Sequence, residues 1–373
     1  MNDWIEYSLE DLLSYEQPTP YIVESTDYSD NYKTPVLTAG KSFIIGYTNE
    51  TSGIYDKLPV IIFDDFTTST QYVNFHFKVK SSAMKILTAN TDLVLPKFIF
   101  YRMQIIEFDH STHKRYWIQQ YSKIKVKIPS LPEQEKIVAK IEELFSELDN
   151  GVDTLKKTKQ QLAVYRQAVL KEAFCLKEQT VKVSSICTVV RGGSPRPAGD
   201  EKYYNGTIPF LKVADLTNSD DMYLSTYTYT IKEAGLKKTR MVPPNTLLLS
   251  NSGATLGVPK ICTFETTFND GIAAFLDLKT DQEYLPFHYY FWLSKLPEMR
   301  AIDQGAAQPN LNTAIIGDVD IPHYEFEKQQ EIAEWIESRL SVCDNIEKTI
   351  DTALQQAEAM RQSILKKAFE GDL

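Results

Sequence analysis

The sequence lacks the short motifs of the common nucleotide-binding and hydrolytic enzymes. It has no GxGxxG or GxxxxGK[ST] loop, no HExxH and no GxSxG, so dinucleotide, P-loop, zinc-protease and serine-hydrolase chemistry have no support. The Gly-rich cofactor loop and the Asn-Pro-Pro-aromatic tetrad of a base methyltransferase are also missing. The sequence therefore favours a binding protein over an enzyme, with no catalytic residue and no cofactor of its own.

Cysteine, histidine and long apolar runs are scarce as well. The four cysteines form no CxxC and the five histidines do not cluster, which argues against a disulfide framework or a metal site and fits a reducing compartment. No apolar run approaches the roughly 18 residues of a membrane span. The acidic start, MNDWIEYSLEDLL, has no signal-peptide core. We therefore expect a cytoplasmic protein with no membrane partner.

One pair of acids, Asp64-Asp65, follows a predicted strand and suggests a metal-dependent nuclease. The Glu-x-Lys that usually accompanies such a pair is absent nearby. Adjacent acids at a strand end more often cap a turn, so a stand-alone endonuclease remains only an alternative.

The net charge of −10 is unevenly distributed. Residues 321–373 hold 6 basic and 11 acidic residues, whereas residues 180–320 hold 13 and 15. The parts outside the last segment are close to neutral and can still present a basic face to nucleic acid. The overall charge neither supports nor excludes DNA as a ligand.

What the chain does have is an internal repeat. Residues 133–174 recur from residue 328 onward without a gap, at a constant offset of 195, and 16 of these 42 positions are identical. Ser130 to Glu133 has capping-box spacing and starts the first copy as a helix. At about 1.5 Å per residue each copy spans roughly 63 Å. We expect the helix to run through Gly151 despite its cost.

Apolar residues recur every seven positions in both copies, which indicates a seam for one partner helix. The predicted coiled-coil and docking positions are Ile141, Leu148, Leu155, Leu162 and Val169 in the first copy and Ile336, Cys343, Ile350, Ala357 and Ile364 in the second. Antiparallel pairing would create an approximate two-fold axis. Parallel pairing, or two helices that pack only on their own domains, are the alternatives.

Each helix follows an aromatic-rich segment with short strand-like runs. Pro59–Phe63 and Gln71–Val79 read as strands in the first segment, and Asn245–Leu249 and Lys260–Phe264 do so in the second. Both continue into a helix-like stretch, Leu95–Met103 or Leu285–Leu296, so the two globules look like distant copies. The predicted fold is α+β, with a pseudo-two-fold arrangement of two globules and two long helices that pair as an antiparallel coiled coil. The predicted domains are 1–126, 127–179, 180–320 and 321–373.

Several stretches resemble the specificity (S) subunits of type I restriction–modification systems. IPSLPEQEKIVAKIEELFSELD at 128–149 is similar to the sequence that opens the family's conserved helix, and IPHYEFEKQQEIAEWIE at 321–337 is a weaker second copy. VRGGSPRPAGDEKYYNGTIPFLKVADLTN at 190–218 resembles the opening of a target recognition domain, and LSNSG at 249–253 and QPNLN at 308–312 match further landmarks. PVLTAGKSFIIGYT, PVIIFDDFTTST and KVKSSAMKIL, within 35–87, resemble a common subtype of that domain. Arg339, Ala357 and Phe326 depart from the pattern of the second helix.

The resemblance implies a non-catalytic DNA-binding subunit. Each target recognition domain would read one half of a bipartite double-stranded target, and the helices would set the spacer. The helices would also dock two modification (M) subunits, which bind S-adenosylmethionine and methylate adenine. Two restriction (R) subunits would add ATP- and Mg-dependent translocation and cleavage.

Base and phosphate contacts need short polar, basic and backbone donors. The predicted DNA-binding residues of the first domain are Thr67, Thr68, Lys78, Lys80, Ser81, Ser82 and Lys85. Those of the second domain are Arg191, Gly192, Gly193, Ser194, Arg196, Tyr203, Lys212, Asn251, Ser252 and Lys260. For each of these the alternative is an ordinary surface or core side chain. The alternative for the whole chain is a coiled-coil scaffold that binds proteins.

Overall fold

A computed structural model describes residues 4–38, 42–109, 115–174, 179–253, 255–301 and 311–371. The chain divides into two compact units, residues 1–156 with 351–373 and residues 157–350. These units differ from the four predicted segments because each long helix contributes one part to each unit. Within the described residues no helix is both long and apolar enough to cross a membrane.

The described residues of the first unit form nine strands and the start of a long helix. In chain order its elements are β1 (Ile5–Ser8), α1 (Leu9–Leu12), β2 (Leu13–Glu16), β3 (Thr34–Leu37), β4 (Ile44–Thr48), β5 (Val60–Asp64), β6 (Thr70–Val73), β7 (Lys78–Val79), β8 (Met84–Ala89), α2 (Pro96–Met103), β9 (Lys125–Ile128) and α3 (Leu131–Ala173). Its sheets have the orders β2-β8-β5-β6, β4-β3-β7 and β1-β9.

The second unit continues from α3 and contains the start of the other long helix. Its elements are β10 (Thr180–Lys182), α4 (Val183–Ile186), β11 (Thr188–Arg191), β12 (Tyr204–Leu211), α5 (Val213–Thr217), β13 (Tyr223–Leu224), β14 (Tyr229–Ile231), α6 (Glu233–Leu236), β15 (Arg240–Val242), β16 (Thr246–Ser250), β17 (Pro259–Cys262), β18 (Thr266–Phe268), β19 (Ile272–Leu276), α7 (Leu285–Ala301), α8 (Thr313–Gly317), β20 (Asp320–Pro322) and α9 (Phe326–Glu370). Its sheets have the orders β11-β19-β16-β17-β13, β14-β12-β18-β15 and β10-β20.

The two globules share one topology. In each, the first strand pairs antiparallel with the last strand before the long helix, β1 with β9 and β10 with β20. The order β2-β8-β5-β6 matches β11-β19-β16-β17, and the parallel pair β3-β7 matches β12-β18. The predicted likeness of the globules is therefore confirmed, and both units have the same plan, as a pseudo-two-fold organisation requires.

Most predicted elements lie close to the observed ones. The strands at β5, β16 and β17 and the helices α2 and α7 are confirmed, and α3 runs through Gly151 without a break. The single strand predicted at Gln71–Val79 is wrong. It is two strands, β6 and β7, which join different sheets, because the chain turns at 74–76 between them.

A buried glutamine attaches each long helix to its own globule. The Gln134 amide donates to the carbonyls of Leu93 and Pro129 and accepts from the Leu95 amide at 2.8 Å. Gln329, its repeat mate, donates to Gln282 and Tyr324 and accepts from Tyr284, also at 2.8 Å. Both side chains are almost fully buried. Unpaired buried amides are costly, so each bond set fixes the first helical turn against the loop before α2 or α7.

The long helices pack together in antiparallel register within each unit. In the second unit Arg166 binds Asp344 at 2.6 Å and Glu347 at 2.9 Å, and Lys159 lies 3.4 Å from Glu347, so the numbering of α3 falls as that of α9 rises. In the first unit Arg361 binds Asp149. Arg166 and Arg361 are repeat mates, as are Asp149 and Asp344. The helices therefore pair antiparallel and not parallel, and the same Arg–Asp ion pair occurs in both units.

The predicted seam positions lie on the packed sides of these helices. Ile141, Val169, Ile336, Cys343, Ile350 and Ala357 are buried, and Leu148, Leu155, Leu162 and Ile364 are half-buried. Ile141 joins the core of the first unit with Leu365 and Phe369, and Ile336 joins the core of the second with Val169. The seam therefore also packs on the globules, which limits what it offers to another protein.

Candidate nucleic-acid interface

The central strands of the two globules end in equivalent corners. Asp65 follows β5, donates its amide to the Ala83 carbonyl and accepts from the Tyr116 amide at 2.9 Å. Asn251 follows β16, donates to Gly271 and accepts from Leu311, both at 2.9 Å. Because the backbone bonds match, these corners mark the same edge of each globule, and most predicted DNA-binding residues lie near one of them.

The two acids of the first corner have structural partners. Asp64 Oδ1 accepts from the amides of Phe66 and Thr67 and caps the turn. Asp65 Oδ1 accepts from the Trp117 amide, and its Oδ2 lies 3.2 Å from Lys85 Nζ in a pair that is 1% exposed on each side. No group of three or more potential metal ligands occurs among the described residues. These contacts favour the turn-and-core reading over a nuclease site.

The second corner has lost the charged pair. In the first globule Lys85 pairs with the residue directly before Asp64. The equivalent position in the second globule is Ala273, which pairs with the residue directly before Ser250. Asn251 is fully buried, and neither its amide nitrogen nor its amide oxygen has a hydrogen-bond partner in the described part of the chain. The Asn251 side chain thus lies inside the fold, and its predicted contact with DNA stays a prediction.

Three lysines among the predicted DNA-binding residues are buried and already paired, and their contact with DNA stays a prediction. Lys85 is paired with Asp65, as above. Lys78 lies 2.8 Å from a Glu50 carboxylate oxygen and donates to the Ser52 carbonyl, and its hydrogen bond to Glu50 lowers the pKa of that carboxyl. Lys260 donates to the carbonyls of Ser219 and Asp221, and burial lowers its pKa. All three lysines lie at or next to the start of a strand, and each is at most 2% exposed.

The remaining predicted residues of the first domain gather beside Asp65. Thr67 and Thr68 form the turn after β5, and Lys80, Ser81 and Ser82 form the loop before β8, with Lys80 and Ser81 exposed. The Asp65 amide bond to Ala83 joins these two loops.

Sequence reasoning missed an aromatic–cation pair at this first edge. The Arg115 guanidinium lies 6.0 Å from the ring of Phe66, which is 45% exposed. The exposed aromatic residue directly after the acid pair was the available signal. The described part of the first edge thus offers Lys80, Arg115, short hydroxyls and an accessible ring.

At the second edge a carboxylate organises three of the predicted residues. Asp270 accepts from Ser194 Oγ at 2.6 Å and lies 3.9 Å from Arg191 and 4.0 Å from Arg196. The Ser194 bond and the two guanidinium groups lower the pKa of Asp270. The Arg196 side chain is 71% exposed. This edge therefore holds an ionised acceptor between two exposed cations, and sequence reasoning missed Asp270.

Gly192 and Gly193 let this loop lie directly on its neighbours. A Cβ on Gly192 would meet the carbonyl of Asn269 at 2.3 Å, and one on Gly193 would meet that of Lys238 at 2.3 Å. The glycines are therefore needed for close backbone packing within the protein. Their predicted role at a phosphate stays a prediction.

A cleft of about 380 Å³ opens beside Asp270. Lys212 Nζ lies 3.4 Å from the centre of the Tyr229 ring on its wall, and Ser194 and Arg196 line it too. Tyr229 was not among the predicted DNA-binding residues. It lies beside Lys212 because β14 pairs with β12, which ends directly before Lys212. Ser252 is half-buried near Gly271, whereas Tyr203 packs on the small Tyr204, Phe210 and Ile231 core.

The family model for the type I restriction modification DNA specificity domain matches residues 1–163 and 177–356. Among curated proteins, the chain is 38% identical over 263 residues to the EcoR124I/EcoR124II type I restriction enzyme specificity subunit of Escherichia coli, which covers 66% of this chain and 63% of that protein. It is 28% identical over 282 residues to the E. coli EcoBI specificity subunit, covering 66% and 58%. The matches thus span about three fifths of these relatives.

Solved structures share the fold. One chain, from a study of assembly and conformational transition in a type I restriction–modification system, has a TM-score of 0.76 at 18% identity and covers 100% of this chain and 99% of its own. The HsdS subunit of Thermoanaerobacter tengcongensis has a TM-score of 0.55 at 19% identity, covering 99% and 97%. With the family model matched over most of its length, the chain belongs to the type I restriction–modification DNA specificity family.

Proposed function

We propose that this chain is the DNA sequence-specificity subunit of a type I restriction–modification complex. Each globule reads one half of a bipartite double-stranded target, and the paired helices set the distance between the halves. Two modification subunits dock on the chain, bring S-adenosylmethionine and methylate adenine. Two restriction subunits bring the ATP- and Mg-dependent steps. This chain recognises the DNA target and positions the partner subunits on it, and the partner subunits carry out the chemical steps.

The observation that carries the proposal is the duplicated edge. Both globules place exposed cations and short polar groups around the same structural corner, at Asp65 and at Asn251. Each edge also holds a cation over an aromatic ring, Arg115 on Phe66 and Lys212 on Tyr229. A protein that reads two half-sites needs two such edges, whereas an enzyme with one pocket does not.

The chemistry of the second edge suits a mixture of phosphate and base contacts. Arg191 and Arg196 are exposed enough to meet phosphates or a guanine edge. Asp270 stays ionised and can accept a hydrogen bond from the amino group of cytosine or adenine. A carboxylate among cations repels phosphate, which favours placement of Asp270 toward the groove floor rather than the backbone.

The test is salt-dependent DNA binding by the complex of this chain with its modification subunit. Phosphate contacts release counterions, so the logarithm of the binding constant should fall linearly and steeply with the logarithm of salt concentration. The competing function is a protein-binding scaffold, favoured by the exposed apolar side chains of Val342 and Ile346 on α9. An assembled complex whose weak DNA binding shows no salt slope would support the scaffold and contradict the proposal.

A further inference from the structure

Two large apolar side chains are exposed at the corner that Asp65 forms in the first globule. Phe66 follows Asp65 directly and is 45% exposed, and Ile118 is 52% exposed. Ile118 follows Trp117, whose amide donates to the Asp65 carboxylate at 2.9 Å. The two loops that carry these side chains therefore meet at Asp65, and both belong to the first edge of the candidate interface.

The backbone that carries both side chains is held by contacts within the fold. The Phe66 amide donates to the Asp64 carboxylate at 2.8 Å. The Trp117 ring is 1% exposed, and its centre lies 5.0 Å from the centre of the Phe63 ring in the core. Side chains with few torsions on a fixed backbone lose little conformational freedom when a ligand covers them. The first corner thus presents a preorganised apolar surface.

The equivalent positions of the second globule are polar. Ser252 follows the corner residue there, as Phe66 does in the first globule. The backbone amides two residues before Ile118 and two residues before Thr313 donate to the two corner carbonyls, both at 2.9 Å. Ser252 and Thr313 are half-buried. The second globule completes the same corner with a hydroxyl at each place, so the fold does not require the apolar pair. Exposed apolar groups that the fold does not require indicate a ligand.

The charges around the pair indicate that this ligand is anionic. The Arg115 guanidinium lies 6.0 Å from the centre of the Phe66 ring, and Lys80 is exposed in the neighbouring loop. The two acids of the corner, Asp64 and Asp65, are buried. The described part of this edge therefore places cations beside an apolar centre, an arrangement that suits phosphates at the rim and a base edge in the middle.

DNA offers such a surface a single kind of apolar group in the major groove. Among the four bases only thymine carries a methyl group there, at C5, and apolar side chains contact it. The other groups on the base edges are hydrogen-bond donors and acceptors, which an apolar side chain would leave unpaired. Burial of one methyl group strengthens binding roughly fourfold. A thymine methyl is therefore the DNA group that the apolar pair can select.

We propose that Phe66 and Ile118 read a thymine in the major groove by covering its C5-methyl group. Arg115 and Lys80 bind the phosphates that flank this base. The inference rests on the proposed function and adds two things to it, the side chains that select a base and the base that they select. It requires an A·T pair, with its thymine on one particular strand, in the half-site that the first globule reads.

The experiment replaces single thymines by deoxyuridine, which lacks only the C5-methyl group and keeps its pairing with adenine. The duplex carries the methylation motif of the complex. Exchange of residues 180–320 for those of a related chain identifies the half-site of the first globule, because that half-site stays unchanged. Fluorescence anisotropy measures binding by the full chain assembled with its modification subunit. One replacement in this half-site should weaken binding roughly fourfold.

Variants of the chain assign this difference to the two side chains. Phe66→Ala with Ile118→Ala should bind the thymine and deoxyuridine duplexes equally, because no apolar side chain is left to cover the methyl group. Phe66→Leu keeps an apolar side chain and should retain part of the difference. The matched control is Ile5→Ala, since Ile5 is 60% exposed on β1, in another sheet of the same unit. This control should keep the whole difference, and thermal unfolding of each variant should match that of the wild type.

The outcomes separate this inference from the proposed function. Equal binding of every thymine and deoxyuridine duplex by the wild-type complex, or a half-site of the first globule without an A·T pair, would overturn the inference and leave the proposed function in place. A difference that persists in the double alanine variant would overturn it as well, because other groups would then read the methyl. If the assembled wild-type complex binds no DNA, the proposed function itself fails.

Discussion

Arg196 and Lys260 carry the same charge in opposite surroundings, and the proposed interface depends on that difference. The Arg196 side chain is largely exposed at the second edge, whereas Lys260 is buried against two backbone carbonyls. Arg196→Ala should weaken binding of specific DNA by the assembled complex and reduce the salt slope by about one, with no change in thermal unfolding. A fluorescence-anisotropy titration at several salt concentrations measures both quantities.

The control for Arg196 is Lys260→Met, which removes a charge from the interior. This change leaves the carbonyls of Ser219 and Asp221 without their donor, so it should lower the unfolding temperature. DNA affinity of the fraction that remains folded should stay near the wild-type value. Equal effects of the two variants on DNA affinity would mean that exposure does not define the interface.

The buried pair Asp65–Lys85 provides a test of the corner itself. Asp65→Asn leaves a buried ammonium without its counter-ion and should lower the free energy of unfolding by about 3–5 kcal/mol. Adding Lys85→Ala copies the Asn251 and Ala273 arrangement of the second globule and should recover part of that loss. Urea unfolding of both variants measures it. A double variant less stable than Asp65→Asn would contradict the equivalence of the corners.

Among the elements, the start of each long helix depends on one glutamine. Gln134→Ala would leave two carbonyls and one amide unpaired in the first unit, and Gln329→Ala would do the same in the second. Each should cost about 2 kcal/mol or more. Gln160→Ala, at an exposed repeat position, should cost almost nothing. Similar losses in all three variants, measured by denaturant unfolding, would show that the glutamines are not anchors.

The repeated ion pair makes a smaller contribution to helix pairing. Arg361→Asp places two acids together, whereas Arg361→Asp with Asp149→Arg restores attraction with the signs exchanged. Because these side chains are 30% and 56% exposed, the coupling should be about 0.5–1 kcal/mol and should fall with added salt. A double-mutant cycle at two salt concentrations tests this. A coupling energy of zero at low salt would show that this ion pair does not help to set the register of α3 against α9.

How much the sequence predicts differs between elements. The long helices were predictable because heptad spacing and a gap-free repeat depend on local chain geometry. The residues of the candidate nucleic-acid interface were less predictable from the sequence. Lys78, Lys85 and Lys260 follow the same pattern of basic residues near strand ends as exposed lysines do, and only the sheet pairing shows that they point inward. Asp270 and Tyr229 join the second edge through contacts distant in sequence, which no local pattern reveals.

For the whole molecule, the main result is duplication at every level. The same topology, the same buried glutamine, the same ion pair and the same corner occur in both units. Sequence identity persists in the helices and not in the edges. A molecule whose common parts bind a common partner and whose variable parts read two different half-sites would show this distribution.

Adenine-methylation mapping, in cells that express this chain with its proposed modification subunit, tests most directly whether the chain specifies a bipartite target. The methylated motif should be split, with two short half-sites around a spacer of fixed length and unspecified sequence. Exchange of residues 180–320 for those of a related chain should change one half-site and leave the other unchanged. Absence of new methylation from a complex shown to assemble, or methylation of one continuous motif, would mean that the two globules do not read two half-sites.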